Sequence, residues 1–280
     1  MHEIGFPHLG LGPFAIDPTA LSFGPFHIQW YGLIIVCGMI LGSLYVYRCM
    51  KALGMTLDDT LNVCLAAIPA AIVGARAYYV LTTLHVYRYD SFLDVIAVWN
   101  GGLAIYGGIL GGLVAVYILC RVKKYPFVGV LDCIVGGLFI GQAIGRWGNF
   151  ANAEAYGVID RYDFLTHTFS FSEEAMKRNP LIMTIDGLYV QPTYLYESVW
   201  NLVGFLLLHF LVRKKKRGEG EMLCFYVAWY GFGRCVIEGM RGDSLYIGAF
   251  RISQLLAFVC FIAGTAVYVT LRVKRRQKEK

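Results

Sequence analysis

Charged residues are scarce in this sequence. They make up 16% of its 280 residues, against about 25% in a soluble globular domain. Cysteine pairs of the C-x-x-C type are absent, and none of the eight cysteines falls within 147–194. This argues against a sulfur-based metal site or a disulfide framework. No Lys or Arg precedes Arg48, so we expect no cleavable secretory signal.

Hydrophobic residues, in contrast, make up 57% of the chain and occur in long uninterrupted blocks. A block of about 20 apolar residues can cross a bilayer as a helix, which satisfies its own backbone hydrogen bonds in lipid. The alternating pattern of an outer-membrane strand is absent. We therefore predict an all-α fold, a polytopic transmembrane helix bundle that forms one domain over 1–280. Its seven spans are predicted at 28–47, 61–81, 101–120, 128–146, 195–212, 222–240 and 252–271.

The basic residues indicate which way the chain crosses the membrane. The net charge is +6, and its concentration in short runs at block ends argues against nucleic-acid binding. Sixteen of the 25 Lys and Arg residues lie on one side, at 48–51, 121–124, 213–217 and 272–280. The positive-inside rule puts that side and the C-terminus in the cytoplasm, with the N-terminus outside. The polar segment 147–194 is then predicted to be a small external subdomain between spans four and five.

Glycines recur at helical spacing in two of the blocks. Gly137, Gly141 and Gly145 lie four residues apart in the fourth, and the third contains the pairs Gly107/Gly111 and Gly108/Gly112. Small residues at this spacing let helix backbones approach closely in lipid. We interpret them as packing residues.

Ionisable residues within the sixth block are unexpected, because charge inside a bilayer costs at least about 2.5 kcal/mol. Tyr230, Arg234, Glu238 and Arg241 follow one another at spacings of four, four and three, so they share one helical face. One interpretation is a structural Arg–Glu–Arg ladder. However, one glutamate cannot neutralise two arginines. The remaining positive charge favours an anionic ligand.

The densest polar motif is Gly-Arg-Trp-Gly-Asn-Phe-Ala-Asn-Ala-Glu-Ala-Tyr-Gly at 145–157. Arg146, Asn149 and Asn152 point the same way if the helix continues through them. Other polar candidates stand at the outer ends of other spans, namely Arg76, Gln191 and Glu197. Guanidinium groups bind phosphate through paired hydrogen bonds. Arginines at headgroup depth therefore predict a phospholipid headgroup as ligand, and a soluble anion is the alternative.

Two other classes of membrane protein have sequence requirements that this chain does not meet. A transporter or channel needs polar residues through the full membrane depth, and commonly repeated halves, whereas the polar residues here gather near the outer face. A retinal photoreceptor needs a lysine in its last span, and 252–271 contains none. Both classes are disfavoured.

Four motifs together resemble the bacterial prolipoprotein diacylglyceryl transferases over essentially the whole chain. The most specific is the 145–157 stretch. The others are Gly-Gly-Leu-Ala-Ile-Tyr-Gly-Gly (101–108), Leu-Tyr-Glu (195–197) and Tyr-Gly-Phe-Gly-Arg-Cys-Val-Ile-Glu-Gly-Met-Arg (230–241). The segment His-Ile-Gln-Trp-Tyr-Gly (27–32) begins the similarity.

The resemblance implies a seven-span transferase of the bacterial plasma (inner) membrane with its active site toward the outer face. Its lipid partner would be phosphatidylglycerol, and its protein partner the lipobox peptide of a preprolipoprotein. The diacylglyceryl group passes to the lipobox cysteine thiol, which forms a thioether and releases glycerol 1-phosphate. No metal and no cofactor are implied.

The resemblance also implies roles for individual residues. Arg146 and Arg234 match the family arginines associated with headgroup binding and catalysis. Other matching substrate-site positions are Tyr31, Asn149, Glu154, Glu197, Tyr230, Glu238 and Arg241, and Arg76 joins them as a candidate. Tyr106 stands where some members carry a histidine considered as a general base. An ordinary tyrosine, with a pKa near 10, is a poor base at neutral pH. Tyr106 is therefore activated by an arginine, replaced by a base elsewhere, or a lipid-positioning residue, which we favour.

Overall fold

The computed structural model describes residues 1–24, 26–158, 162–163, 168–169, 179–241, 246–247 and 250–278. Parts of the predicted external insert, 159–161, 164–167 and 170–178, lie outside the described residues. The chain is mostly helical. The helices are α1 (Trp30–Lys51), α2 (Leu57–Thr83), α3 (Phe92–Ile96), α4 (Ile105–Lys123), α5 (Phe127–Ala151), α6 (Thr193–Leu207), α7 (Glu221–Glu238) and α8 (Ile252–Lys278).

Six of these helices are long and apolar enough to cross a membrane: α1, α2, α4, α5, α6 with its π-helical extension Leu208–Val212, and α8. They correspond to six of the seven predicted blocks. The remaining block, 222–240, also forms a helix, α7. It is less apolar because it carries Glu221, Arg234 and Glu238.

The all-α prediction is wrong in one respect, because the chain also forms β-structure. The strands are β1 (His2–Phe6), β2 (Leu11–Ile16), β3 (Thr19–Phe23), β4 (Phe26–Gln29), β5 (Gly157–Val158), β6 (Tyr162–Asp163), β7 (Thr168–Phe169), β8 (Met183–Ile185), β9 (Leu188–Gln191), β10 (Tyr246–Ile247) and β11 (Phe250–Arg251). A five-stranded antiparallel sheet has the order β2-β1-β8-β9-β5.

This sheet joins the N-terminal segment to the chain just before α6. Ile4 of β1 is opposite Ile185 of β8, and both are buried in a cluster with Met183, Val190 and Tyr194. Asp186 Oδ1 accepts a hydrogen bond from the Glu3 backbone N–H at 2.8 Å, and Asp186 Oδ2 lies 2.8 Å from His2 Nδ1. These bonds lower the pKa of the Asp186 carboxyl. The sheet therefore has its own apolar core.

The chain divides into two compact units. The first comprises Met1–Leu44 and Ile134–Lys280. Within it, a Cβ on Gly42 would lie 2.8 Å from the Gly137 carbonyl oxygen, so α1 and α5 are in backbone contact there. A Cβ on Gly231 of α7 would similarly lie 2.7 Å from the Ala257 carbonyl of α8.

The second unit is Tyr45–Cys133. Its helices α2 and α4 pack through glycines. A Cβ on Gly107 would lie 2.2 Å from the carbonyl oxygen of Gly74, and one on Gly111 would lie 2.4 Å from that of Ala70. The predicted packing role is confirmed for these two glycines. Pro69 lies inside α2, where the helix continues through it.

Candidate active site

Glu197 is the centre of the charged site in the first unit. Pro192 precedes α6, and Glu197 lies in the second turn of that helix with its side chain 5% exposed. Its Oε1 accepts a hydrogen bond from Arg234 Nη1 at 2.8 Å and lies 3.5 Å from Arg241 Nη1. Its Oε2 forms an ion pair with Arg146 Nη2. One buried carboxylate thus binds three arginines.

The predicted polar face of α7 is present. Arg234 Nη2 lies 2.6 Å from Glu238 Oε2, one helical turn further on, and Arg241 follows the end of the helix. The backbone carbonyl of Glu238 also accepts a hydrogen bond from Arg251. Sequence reasoning missed Arg251, whose only signal was its position just before the last span.

Among the described side chains that pair directly in this cluster, the positive charges outnumber the negative ones. Arg146, Arg234 and Arg241 contribute three positive charges, and Glu197 and Glu238 contribute two negative ones. The arginine side chains are 23%, 19% and 11% exposed, whereas the two carboxylates are 5% and 3% exposed. The buried part of the cluster is therefore mainly anionic, and the part that a ligand can reach is cationic. Such an arrangement favours an anion with several acceptor oxygens.

A second arm of the site follows the end of α5. Arg146 Nη1 donates to Asn149 Oδ1 at 3.2 Å, and Asn149 Nδ2 donates to Glu154 Oε1 at 3.0 Å. Tyr31 packs against the same helix, since a Cβ on Gly148 would lie 2.8 Å from its ring. The structure therefore brings Arg146 and Asn149 together, as their spacing predicted, and connects them to Glu154.

A small pocket adjoins the cluster on the same helices. Glu197, Asn201, Tyr230 and Arg234 all line it. Tyr230 therefore lies beside the arginines, as predicted. Asn201 was not among the predicted residues, although its spacing of four from Glu197 in an apolar block was a usable signal.

Arg76 belongs to the second unit, where its guanidinium group donates hydrogen bonds to backbone carbonyls. It is 9% exposed. It donates to the carbonyls of Asp94 (2.6 Å), Val95 (2.7 Å), Gly101 (2.8 Å) and Gly102 (3.1 Å). Through these bonds Arg76 binds both α3 and the segment that follows it, which is a structural role. Its substrate-binding role stays a prediction.

Tyr106 also belongs to the second unit. It lies in the first turn of α4, half-buried, and its ring centroid is 6.4 Å from that of Tyr78. Its role in catalysis or lipid positioning stays a prediction.

Comparison with known proteins identifies the family of this chain. The family model described as prolipoprotein diacylglyceryl transferase matches residues 18–270. A Streptococcus uberis protein named phosphatidylglycerol–prolipoprotein diacylglyceryl transferase is 44% identical over 264 residues, covering 94% of this chain and 97% of that protein. A relative of the same name from Streptococcus sanguinis is 43% identical, over 93% of this chain and 97% of that protein. Another, from Clostridium kluyveri, is 40% identical, over 92% of this chain and 97% of that protein.

Proposed function

Because the chain belongs to the prolipoprotein diacylglyceryl transferase family, it transfers a diacylglyceryl group from phosphatidylglycerol to a prolipoprotein cysteine, and we propose that the cluster around Glu197 binds the lipid phosphate. One observation carries this assignment. Three arginines share a single buried carboxylate and keep a net positive charge beside Glu238. A phosphodiester supplies the oxygens and the negative charge that such a cluster accepts.

The reaction needs a nucleophile, a leaving group and a way to stabilise the departing charge. The lipobox cysteine releases its thiol proton to solvent, and the thiolate sulfur attacks C3 of the diacylglyceryl group. The new S–C bond is a thioether. The bond between that carbon and the phosphate oxygen breaks, and glycerol 1-phosphate leaves.

Arg146 and Arg234 are the proposed leaving-group clamp. Charge increases on the phosphate oxygen as the bond breaks, and preorganised donors stabilise the transition state most at such a point. The shared ion pairs with Glu197 fix both guanidinium groups before the lipid arrives. Their positive potential also favours the thiolate form of the incoming cysteine. Binding lipid and peptide side by side supplies the proximity that a bimolecular reaction lacks.

The proposed membrane topology has seven spans, with α7 added to the six apolar helices. The N-terminus is outside, the C-terminus is cytoplasmic, and segment 147–194 is an external insert above the bacterial plasma (inner) membrane. Three helix ends support a single outer site. Arg146 lies near the end of α5, Glu197 near the start of α6, and Arg234 near the end of α7. Consecutive spans bring such ends to one face.

The activity is tested with purified protein, phosphatidylglycerol in mixed micelles and a synthetic lipobox peptide. We expect the peptide mass to increase by one diacylglyceryl group. A peptide with serine in place of the lipobox cysteine should gain nothing, and neither should the cysteine peptide given phosphatidylcholine alone. Equal modification of the cysteine and serine peptides would contradict thioether formation.

The topology is tested separately with alkaline phosphatase fusions, since that enzyme folds only outside the cytoplasm. A fusion after residue 190 should be active, and one after residue 217 inactive. The opposite pattern would overturn the proposed orientation without affecting the assignment of the activity.

A further inference from the structure

Asn201 has a buried acceptor that the described part of the chain leaves unsatisfied. The residue is 2% exposed, and its Oδ1 has no hydrogen-bond partner among the described residues. Buried polar atoms in folded proteins are nearly always hydrogen-bonded, and an exception needs an explanation. A ligand group that completes the bond is one such explanation.

The position of Asn201 connects it to the charged cluster. It follows Glu197 by one turn of α6, a rise of about 5.4–6 Å, and both residues line the same pocket with Tyr230 and Arg234. Arg234 also pairs with Glu197. Arg234, a proposed phosphate-binding residue, and Asn201 therefore line one pocket, which is about large enough for one small group such as a water or a hydroxyl.

The neighbouring indoles do not supply the missing donor. Trp200 Nε1 donates to the Trp229 carbonyl and Trp229 Nε1 donates to the Trp200 carbonyl, each at 3.0 Å. The two rings are stacked with their centroids 4.2 Å apart. This reciprocal pair holds Trp200, which lines the pocket next to Asn201, and it uses both indole N–H groups.

An amide oxygen accepts a hydrogen bond and donates none. The group that completes the site must therefore carry a donor hydrogen and be about as small as a hydroxyl. We propose that Asn201 accepts a hydrogen bond from a glycerol hydroxyl of the phosphatidylglycerol headgroup, and that it thereby selects this lipid. The inference rests on the proposed phosphate site, since the three-carbon headgroup is joined directly to that phosphate.

The same chemistry explains which headgroups are disfavoured. A choline group has no hydrogen to donate and is larger than the pocket. Its positive charge would also lie close to Arg234. Asn201 is therefore a positioning and specificity residue, since it touches a part of the lipid that undergoes no bond change.

The test compares two lipids and three proteins. The lipids are phosphatidylglycerol and phosphatidylpropanol, which is the same phosphodiester without the headgroup hydroxyls. The proteins are the wild type, Asn201→Leu, and the control Gln142→Leu. Gln142 also has an unpartnered buried amide oxygen among the described residues, and it donates to Tyr226 at 2.8 Å without lining the pocket.

We expect the wild type to prefer phosphatidylglycerol by roughly tenfold in kcat/KM, as for one well-placed hydrogen bond. Asn201→Leu should lose that factor on phosphatidylglycerol and keep its rate on phosphatidylpropanol, so that the preference falls to about one. Gln142→Leu should retain the wild-type preference. Asn201→Ala provides the same comparison if the leucine variant does not fold.

Two results would overturn the inference. If Asn201→Leu lowers kcat/KM equally for both lipids, the amide oxygen binds an ordered water or supports the fold only. If the wild type does not distinguish the lipids, no hydroxyl is recognised. Either result leaves transfer from phosphatidylglycerol in place, whereas absence of transfer with both lipids would contradict the proposed function itself.

Discussion

Glu197 Oε1 and Arg234 Nη1 lie 2.8 Å apart, although 37 positions separate the two residues in the sequence. The pair joins the start of α6 to the end of α7, and both side chains are largely withdrawn from solvent. A buried carboxylate of this kind is stable only when its charge is matched. Glu197 is matched by three guanidinium groups, and several consequences of this arrangement can be measured.

Replacing either clamp arginine should abolish transfer. We expect Arg146→Ala and Arg234→Ala each to lower kcat by at least about 100-fold, the effect of losing one donor to a developing anion. Lysine variants should also be impaired, because an ammonium group cannot form a paired hydrogen bond. The readout is the mass increase of a lipobox peptide, with thermal unfolding as a check of the fold.

Arg88→Ala is the matched control for these variants. Arg88 pairs with Asp90 at 3.0 Å and its side chain is 92% exposed. Its loss should leave transfer unchanged. Activity near wild type in both clamp variants would rule out the phosphate-clamp assignment.

Tyr106→Phe separates two roles of the tyrosine. If the ring positions lipid, we expect most of the activity to survive, since phenylalanine keeps the shape. If the hydroxyl transfers a proton, the activity should be lost and its pH profile should change. The measurement is kcat/KM for peptide modification across pH. Complete loss at every pH would refute the positioning role.

Glu197→Gln should impair both folding and transfer. The amide keeps the shape but removes the charge, which leaves three arginines together without their shared partner. Removing one member of a buried ion pair costs about 3–5 kcal/mol of unfolding free energy. Thermal unfolding should show this loss, and Glu219→Gln, at an exposed position, should not. A stable and fully active Glu197→Gln protein would contradict the central role of this carboxylate.

Glu221→Gln should impair stability alone. Glu221 lies in the first turn of α7 with its side chain 0% exposed, and it pairs with Arg275 at 2.9 Å and Arg272 at 3.6 Å. This network is at the opposite end of α7 from Arg234. We therefore expect a lower unfolding temperature but an unchanged kcat/KM per folded molecule. A selective loss of kcat/KM would show that the two ends of α7 are coupled.

Gly107→Ala should destabilise the second unit much more than Gly108→Ala. A Cβ at Gly107 would lie 2.2 Å from the carbonyl oxygen of Gly74, whereas one at Gly108 would lie 3.4 Å from that of Ala71. The first requires α2 and α4 to separate, at a cost of about 1–3 kcal/mol. Unfolding temperatures of the two variants test this. Equal values would mean that the backbones of α2 and α4 are not in contact at Gly107 and Gly74.

The helices and much of the site could be predicted from the sequence because their signals are local. Apolar blocks fix helices through length alone, and the four-residue spacing of Tyr230, Arg234 and Glu238 fixes their shared face. The pairing of Glu197 with arginines from two other helices could not be predicted. It depends on how helices pack, and a single sequence has no local signal for such contacts.

The strands were missed for a related reason. They are two to six residues long, and β1 pairs with β8, about 180 positions away. One local signal was available: Asp186 and Gly187 both have positive φ, at 49° and 82°, in the two-residue turn between β8 and β9. An Asp-Gly turn between apolar residues is typical of a hairpin. Pairing of this hairpin with the N-terminal strand has no comparable signal.

The carboxylate shared by three arginines also determines how an anion exchanges at this site. In the proposed site, an arriving phosphate would replace part of the ion pairing that the guanidinium groups already make with Glu197, so its net gain in binding free energy would be only the difference between the two interactions. Its binding is therefore weaker than three bare arginines would give. A moderate affinity suits turnover, because the product glycerol phosphate keeps the phosphate group and has to be released before the next lipid binds. On the proposed assignment, Glu197 would limit the affinity for the product while it keeps the arginines in place.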